Sequence, residues 1–143
     1  MKVIVQCQFN AETGYQHYTH ITCWLVIIIR CIVIILLLYL GHGDCVRGVA
    51  VLNAHQFLSC SNDTTIRHWS IADGTCLKIY YGHISFVYAV VALPNGTDFI
   101  SCGEDRMLRV WRGGALSQSI AHPAQSVWST CVLSNGDIVT GAR

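Results

Sequence analysis

Hydrophobic residues follow two different patterns along the chain. Residues 21–40 form an almost continuous apolar run in which Arg30 is the single charged residue. From Gly41 onward the apolar runs are short and are separated by glycine, asparagine and aspartate. Short apolar runs between turn residues predict β-strands, whereas a long unbroken run predicts a longer buried element. The pattern therefore divides the chain between Leu40 and Gly41 into two unlike regions.

The apolar run at residues 21–40 is long enough to cross a bilayer as a helix. Its many leucine, isoleucine and valine residues favour insertion despite the one central arginine. This interpretation predicts a small single-pass membrane protein anchored through residues 21–40. The alternative, which we favour, is that residues 1–40 are a leader unrelated to the region that follows and are not an anchor.

A repeat of about forty residues begins after the apolar run. The dipeptide Gly41-His42 recurs as Gly82-His83, and a tryptophan late in each repeat recurs at nearly the same spacing. A third copy begins but is incomplete. The predicted units are residues 1–40 for the leader, 41–81 and 82–121 for two complete repeats, and 122–143 for a partial one.

Each complete repeat predicts four β-strands, because runs rich in Val, Ile, Phe, Tyr and Thr alternate with turn residues. Four strands per repeat, with Gly-His early and Trp late, are typical of a β-propeller blade. The predicted fold is all-β: a propeller fragment of two full blades and part of a third, preceded by the apolar segment, for which a helix is one alternative. Because blades stack on their neighbours, the outer blades of such a fragment are expected to expose a face.

The repeats resemble WD repeats in the positions of their polar residues. WD blades usually carry a hydrogen-bonded tetrad of Trp, Ser, His and Asp, and the resemblance implies one in each complete repeat. Catalytic triads use similar residue types, but a triad occurs once per active site. The recurring set is therefore predicted to be structural, with no catalytic residue and no enzyme activity. Its members are His42, Ser59, Asp63 and Trp69 in the first repeat, and His83, Ser101, Asp105 and Trp111 in the second.

Longer stretches narrow the resemblance to the phospholipase-activating protein family. Three of them are GHGDCVRGVAVL, DFISCGEDRMLRVW and PAQSVWSTCVLSNGDIVTGA. They resemble the later propeller blades of that family, whose fungal members include a ubiquitin-homeostasis adaptor. The resemblance implies a ubiquitin-binding propeller in ubiquitin-dependent protein turnover. It also implies a partnership with the AAA ATPase p97, through domains that residues 1–143 do not include.

The candidate partner-binding positions lie at the start of the first strand of each repeat and in the turn before each tetrad aspartate. If Val46, Val87 and Val127 point into the core, alternation turns their neighbours toward the upper surface. Aromatic residues and arginine dominate binding hot spots, and the family resemblance implies ubiquitin as the ligand. The alternative is that these side chains pack between blades. The candidates are Arg47, Asn62, Phe86, Tyr88, Glu104 and Trp128.

Composition and charge remove several function classes. Nine Lys+Arg against eight Asp+Glu give a formal net charge of +1, which argues against a nucleic-acid partner. The sequence has no phosphate-binding or hydrolase motif and no C-x-x-C pair among its eight cysteines, so neither a cofactor nor a metal site is predicted.

We predict reduced cysteines packed mostly as small hydrophobic residues. The predicted location is the cytoplasm and nucleus, with a membrane as the alternative. Four arginines are predicted to be solvated, with an anion site as the alternative: Arg67, Arg109 and Arg112 on third strands, and Arg106 in the turn before one of them.

Overall fold

The computed structural model of the protein describes residues 3–6, 22–27 and 36–143. Every helix or strand within these residues is a β-strand, which confirms the all-β prediction for this part of the chain. The first three strands form an antiparallel N-terminal sheet in the order β1-β2-β3. They are β1 (Val3–Gln6), β2 (Thr22–Ile27) and β3 (Leu36–Leu40).

The described parts of the apolar run at residues 21–40 are β-strands and not the helix that the sequence left open. β2 and β3 pair with each other there, with Thr22 opposite Leu40 and Val26 opposite Leu36. Isoleucine, leucine and valine suit a buried strand as well as a membrane helix, and an unbroken apolar run does not distinguish the two. Among the described residues, the structure has no helix that is long and apolar enough to span a membrane. The positions of the predicted leader other than 3–6, 22–27 and 36–40 lie outside the described residues.

Two four-stranded antiparallel sheets and a hairpin follow, and within each of them successive strands are neighbours. Sheet A contains β4 (Val46–Asn53), β5 (Gln56–Ser61), β6 (Ile66–Ser70) and β7 (Cys76–Tyr80). Sheet B contains β8 (Val87–Ala92), β9 (Phe99–Gly103), β10 (Met107–Arg112) and β11 (Ala115–Ala121). Hairpin C contains β12 (Val127–Val132) and β13 (Ile138–Ala142). The first strands of these three units, β4, β8 and β12, lie side by side, so residues at their starts can meet across the units.

Apolar side chains fill the space between neighbouring units. One cluster joins sheets A and B, and a second joins sheet B to hairpin C. The first cluster contains Leu52, Leu58, Cys60, Ile66, Tyr80, Val87, Val90, Phe99 and Trp111, and the second contains Ile100, Cys102, Leu108, Val110 and Val127. Each sheet is therefore stabilised by its neighbours, as expected for stacked repeats.

A trio of aromatic rings repeats at the two junctions on either side of sheet A. Tyr39 meets Phe57 edge-on with 4.8 Å between ring centroids, and Phe57 stacks on Trp69. Tyr80 makes the equivalent contact at the next junction, 4.9 Å from the ring of Phe99. Such aromatic pairs each contribute about 0.5–1.5 kcal/mol beyond simple burial. Tyr39, which belongs to the apolar run, therefore occupies in the N-terminal sheet the place that Tyr80 occupies in sheet A.

The described cysteines divide between core and surface. Cys60 and Cys102 are fully buried, and burial raises the pKa of each thiol to about 12. Both side chains therefore remain protonated and pack as small hydrophobic residues. Cys76 and Cys131 are exposed, so the expectation of mostly buried cysteines does not extend to them.

Candidate functional site

Four polar side chains form a hydrogen-bonded chain in sheet A. The indole Nε1–H of Trp69 donates to Ser59 Oγ at 2.8 Å, and Ser59 Oγ lies 2.7 Å from His42 Nε2. On the other side of the ring, His42 Nδ1 lies 2.8 Å from Asp63 Oδ2. Because Ser59 accepts from the indole, its own proton is available for His42 Nε2. The network thereby assigns a ring proton to Nδ1, which donates to Asp63.

Asp63 ties the turn between β5 and β6 to the loop before β4. Its carboxylate accepts from Gly43 N at 2.9 Å, from Thr65 N at 2.9 Å and from Thr65 Oγ1 at 2.7 Å. Burial alone would raise the pKa of Asp63, but the hydrogen bonds from His42 and Thr65 outweigh burial and hold the pKa well below its usual range. The ionised carboxylate therefore stabilises this turn at neutral pH.

The same chain of hydrogen bonds recurs in sheet B. Trp111 Nε1–H donates to Ser101 Oγ at 2.8 Å, and Ser101 Oγ lies 2.8 Å from His83 Nε2. His83 Nδ1 lies 2.9 Å from Asp105 Oδ2. Burial acts to raise the pKa of Asp105, and the hydrogen bond from His83 reverses the direction and lowers it. The structure thus brings together all eight residues that the WD resemblance assigned to tetrads.

The prediction that the strand arginines are solvated is wrong for Arg109. This residue is only 9% exposed, and it lies opposite Ser119 of the neighbouring strand β11. Its Nη1 donates to Ser119 Oγ at 2.8 Å, and its Nη2 lies 3.3 Å from Asp105 Oδ2. Arg112 is exposed and Arg67 is half-buried. Arg109 therefore supports the sheet B tetrad rather than a surface.

A β-bulge recurs at the start of the first strand in all three units. In sheet A the pairing register passes from Val46 to Gly48 and leaves Arg47 as an extra residue. Tyr88 in β8 and Trp128 in β12 are extra residues in the same way. A bulge bends the strand and re-aims one side chain. Three side chains of different type are thereby presented at equivalent places.

These three side chains form one row across the units. The guanidinium carbon of Arg47 lies 6.0 Å from the ring centroid of Tyr88. The Tyr88 ring stacks on Trp128, with 5.1 Å between centroids and 27° between planes. Phe86 meets Tyr88 edge-on at 6.4 Å. We call Arg47, Phe86, Tyr88 and Trp128 the aromatic row.

The aromatic row packs between units and also faces solvent. Trp128 is 53% exposed and Phe86 is 40% exposed, although the ring of each contacts the Tyr88 ring. Arg47 is exposed, and Tyr88 is half-buried in the middle. The same residues therefore pack between blades and remain available to a partner. Both alternatives that the sequence left open apply to them.

The turn residues Asn62 and Glu104 hydrogen-bond to the row. Arg47 Nε donates to Asn62 Oδ1 at 2.8 Å, and the Tyr88 hydroxyl donates to Glu104 Oε2 at 2.7 Å. Burial raises the pKa of Tyr88, and the Glu104 carboxylate raises it further, so the phenol remains a donor at neutral pH. All six predicted partner-binding candidates thus lie at one end of the strands. We call these six residues the upper face.

The backbone beside Phe86 explains how that residue is held. Glu104 N donates to the Phe86 carbonyl at 2.9 Å. At Gly103 a Cβ atom would collide with the same carbonyl oxygen. Glycine therefore permits the close approach of the Phe86 backbone to β9, and this approach fixes where the Phe86 ring emerges.

The repeats match the family described as WD domain, G-beta repeat, over residues 34–70 and 74–112, more than half of the chain. The chain belongs to this family. Ubiquitin homeostasis protein lub1 of Schizosaccharomyces pombe is 45% identical over 103 residues, which are 72% of this chain and 14% of lub1. Protein DOA1 of Saccharomyces cerevisiae is 48% identical over 53 residues, which are 37% of this chain and 7% of DOA1.

A solved structure shows the same architecture. The crystal structure of the WD40 beta propeller domain of Doa1 superposes with a TM-score of 0.74 and 39% identity, covering 87% of this chain and 44% of that one. These similarities confirm the WD-repeat fold and the relationship to ubiquitin-homeostasis proteins that the sequence indicated. The chain itself spans about a seventh of the length of lub1.

The third WD repeat retains part of a tetrad that the sequence left doubtful. His122 Nε2 lies 3.4 Å from Thr140 Oγ1, which is the contact that His42 makes with Ser59. Its Nδ1 accepts from Ala124 N at 3.1 Å instead of facing an aspartate. A hydroxyl at the serine position, threonine included, was the signal that could have revealed this pair.

Sequence reasoning missed three exposed residues at the same end of the WD blades. Ile84 is 85% exposed and Tyr81 is 70% exposed, on either side of Gly82-His83. Arg143 stands where Asn62 and Glu104 stand in the other units, since its N donates to the Ser126 carbonyl at 3.1 Å. Alignment of the repeats carries the signal for Arg143, whereas nothing in the pattern marks Ile84.

Proposed function

We propose that this chain is part of a ubiquitin-binding WD propeller and that the upper face is the binding surface. The role is that of a non-enzymatic scaffold in ubiquitin-dependent protein turnover and ubiquitin homeostasis. The observation that carries the proposal is the aromatic row, in which Arg47, Tyr88 and Trp128 lie side by side across three units while Arg47 and Trp128 remain exposed.

The chemistry of the row suits a folded protein partner. Tryptophan, tyrosine and arginine are the residues most enriched at binding hot spots. The rings are already held by one another and by hydrogen bonds, so a partner need not order them on binding. A central apolar strip with Asn62 and Glu104 at its edge matches the usual arrangement of an apolar centre within a polar rim.

Ubiquitin as the partner is supported by the relatives. Lub1 is named for ubiquitin homeostasis, and its similarity covers 72% of this chain. A role beside the AAA ATPase p97 belongs to the same proposal and would involve regions outside these residues. The propeller fragment supplies the ubiquitin contact in this scheme.

The tetrads support a scaffold rather than an enzyme. Ser59 is 3% exposed and Ser101 is fully buried. Each hydroxyl is already engaged by an indole on one side and an imidazole on the other. A nucleophile needs access to its substrate, and these hydroxyls lack it.

Titration of ubiquitin against single variants of the full chain tests the proposal. Trp128→Ala and Tyr88→Ala each remove a ring from the row, and we expect binding to weaken about thirtyfold, the effect of losing a hot-spot side chain. Leu116→Ala is the matched control, because Leu116 is 43% exposed on the outer strand β11. Circular dichroism establishes that each variant is folded before titration. If both row variants are folded and bind like the unsubstituted chain, the upper face is not the ubiquitin site.

A further inference from the structure

We infer that Glu104 is a positioning residue, which acts on a bound partner through Tyr88 rather than by touching the partner itself. The inference rests on the proposed function, because it concerns how the same face is organised. Its starting point is the 2.7 Å hydrogen bond from the Tyr88 hydroxyl to Glu104 Oε2. That bond occupies the only polar group on the Tyr88 side chain.

Tyr88 is the residue on which the row depends. Its ring is in contact with Trp128 on one face at 5.1 Å, with Phe86 at 6.4 Å, and it lies 6.0 Å from the Arg47 guanidinium. Each of the other three members meets the row through this ring. The orientation of Tyr88 therefore sets the spacing of the whole surface.

The hydrogen bond to Glu104 fixes that orientation. The bulge in β8 releases Tyr88 from the regular pairing of its strand, so the strand pairing alone does not hold its side chain. Glu104 can act as an anchor, because its own backbone is fixed by the bond from its N to the Phe86 carbonyl. A hydrogen bond to a charged acceptor is stronger than a neutral one, and it directs the hydroxyl to one side of the row.

Sheet A has the same arrangement of a turn residue and a bulged side chain, with different residues. Asn62 precedes the tetrad aspartate in sheet A as Glu104 does in sheet B, and its Oδ1 accepts from Arg47 Nε at 2.8 Å. In both sheets the turn residue thus holds the bulged side chain of its own unit. Trp128 is held locally instead, by the bond from its indole to Ser126 Oγ at 2.6 Å.

A double-mutant cycle on ubiquitin binding separates positioning from direct contact. We expect Glu104→Ala to weaken binding about 2- to 12-fold, the effect of losing one hydrogen bond. Glu104→Gln keeps an acceptor oxygen for the Tyr88 hydroxyl, so its binding is expected to stay within about twofold of the unsubstituted chain. In a Tyr88→Phe background Glu104→Ala is expected to have no further effect. Asp137→Ala, an equal charge change at an exposed turn of hairpin C, is the control.

A measurement without ubiquitin tests the same inference independently. Acrylamide quenching of Trp128, isolated by subtracting the signal of the matching Trp128→Phe protein, reports how well Tyr88 covers the indole. We expect quenching to rise in Glu104→Ala and in Tyr88→Phe, and to stay unchanged in Glu104→Gln. If quenching is the same in all of them, Glu104 does not position the row, whatever ubiquitin does.

The outcomes distinguish failure of the inference from failure of the proposed function. If Glu104→Ala still weakens binding in the Tyr88→Phe background, or Glu104→Gln binds as weakly as Glu104→Ala, the carboxylate contacts the partner and the inference is wrong. If Trp128→Ala and Tyr88→Ala leave ubiquitin binding intact, the proposed function is wrong, and the quenching measurement alone decides the positioning role.

Discussion

The tetrads and the upper face belong to the same units and adjoin along the chain, where Asn62 precedes Asp63 and Glu104 precedes Asp105. They differ in how much they vary between units. In sheets A and B the serine hydroxyl is 2.8 Å from its indole nitrogen in each case, and 2.7 or 2.8 Å from its imidazole nitrogen. On the upper face, equivalent bulge positions hold Arg47, Tyr88 and Trp128. Buried polar groups must be satisfied in every unit, whereas exposed positions are free to change.

Comparison of the repeats distinguishes two kinds of residue position. Positions that stay the same between repeats describe the blade, because every blade must solve the same packing problem. Positions that differ between repeats and remain exposed form the surface that the proposed function assigns to a partner. Comparison of the repeats therefore separates the structural residues from the candidate binding residues within one chain.

The largest expected difference in stability between the two regions comes from the loss of a tetrad indole. Trp69→Phe keeps most of the ring volume but leaves the Ser59 hydroxyl without its indole donor. We expect the free energy of unfolding to fall by about 1–3 kcal/mol, as measured by urea denaturation. Trp128→Phe is the counterpart on the upper face and is expected to change stability by no more than about 0.5 kcal/mol. Equal losses of unfolding free energy in the two variants would contradict the distinction between the tetrads and the upper face.

Acid should destabilise the tetrads by protonating their two aspartates. The pKa of Asp63 and of Asp105 is lowered in the folded protein, so each carboxylate stabilises the fold above the unfolded pKa of about 3.9. That contribution is lost as the pH falls below about 4 toward the lower folded pKa. Urea denaturation between pH 7 and pH 2 is expected to show this loss, and Asp63→Asn is expected to reduce it. An acid dependence unchanged by Asp63→Asn would contradict the role assigned to this carboxylate.

The smallest expected effect is at the edge of the row. Arg47→Lys keeps the charge but removes the planar guanidinium and the Nε donor that bonds to Asn62. We expect ubiquitin binding to weaken about two- to fivefold, the scale of one modest exposed contact, with no change in the melting temperature. A loss as large as that from Trp128→Ala would move the centre of the site toward Arg47.

Much of this organisation is predicted by the repeat spacing together with the WD resemblance. The repeat brings His42, Ser59, Asp63 and Trp69 into register with their counterparts, and the tetrads have the connections that the WD resemblance implies. Alternation from Val87 and Val127, which are fully buried, also indicates the side on which Tyr88 and Trp128 emerge. These inferences work because they depend on order along single strands.

Other features depend on contacts between strands, and the sequence does not show which strands lie next to each other. The bulges at Arg47, Tyr88 and Trp128 are register shifts between two strands, and a pattern along one strand does not contain them. Arg109 is buried and hydrogen-bonds to Ser119 of the neighbouring strand β11. Isoleucine and leucine in the apolar run fit a strand or a helix, so Tyr39 could be placed in the core only from its contacts with Phe57 and Trp69.

The tryptophans offer the most direct test of the central claim, that the tetrads build the blades and the upper face binds ubiquitin. Trp69 and Trp111 donate to serines in the tetrads, and Trp128 lies on the upper face. In the ¹⁵N-labelled chain, single Trp→Phe variants assign each indole N–H resonance, and unlabelled ubiquitin is then added. The account predicts that the Trp128 indole resonance moves with ubiquitin concentration while those of Trp69 and Trp111 stay in place. A bound complex in which Trp128 does not move, or in which the tetrad indoles move instead, would contradict it.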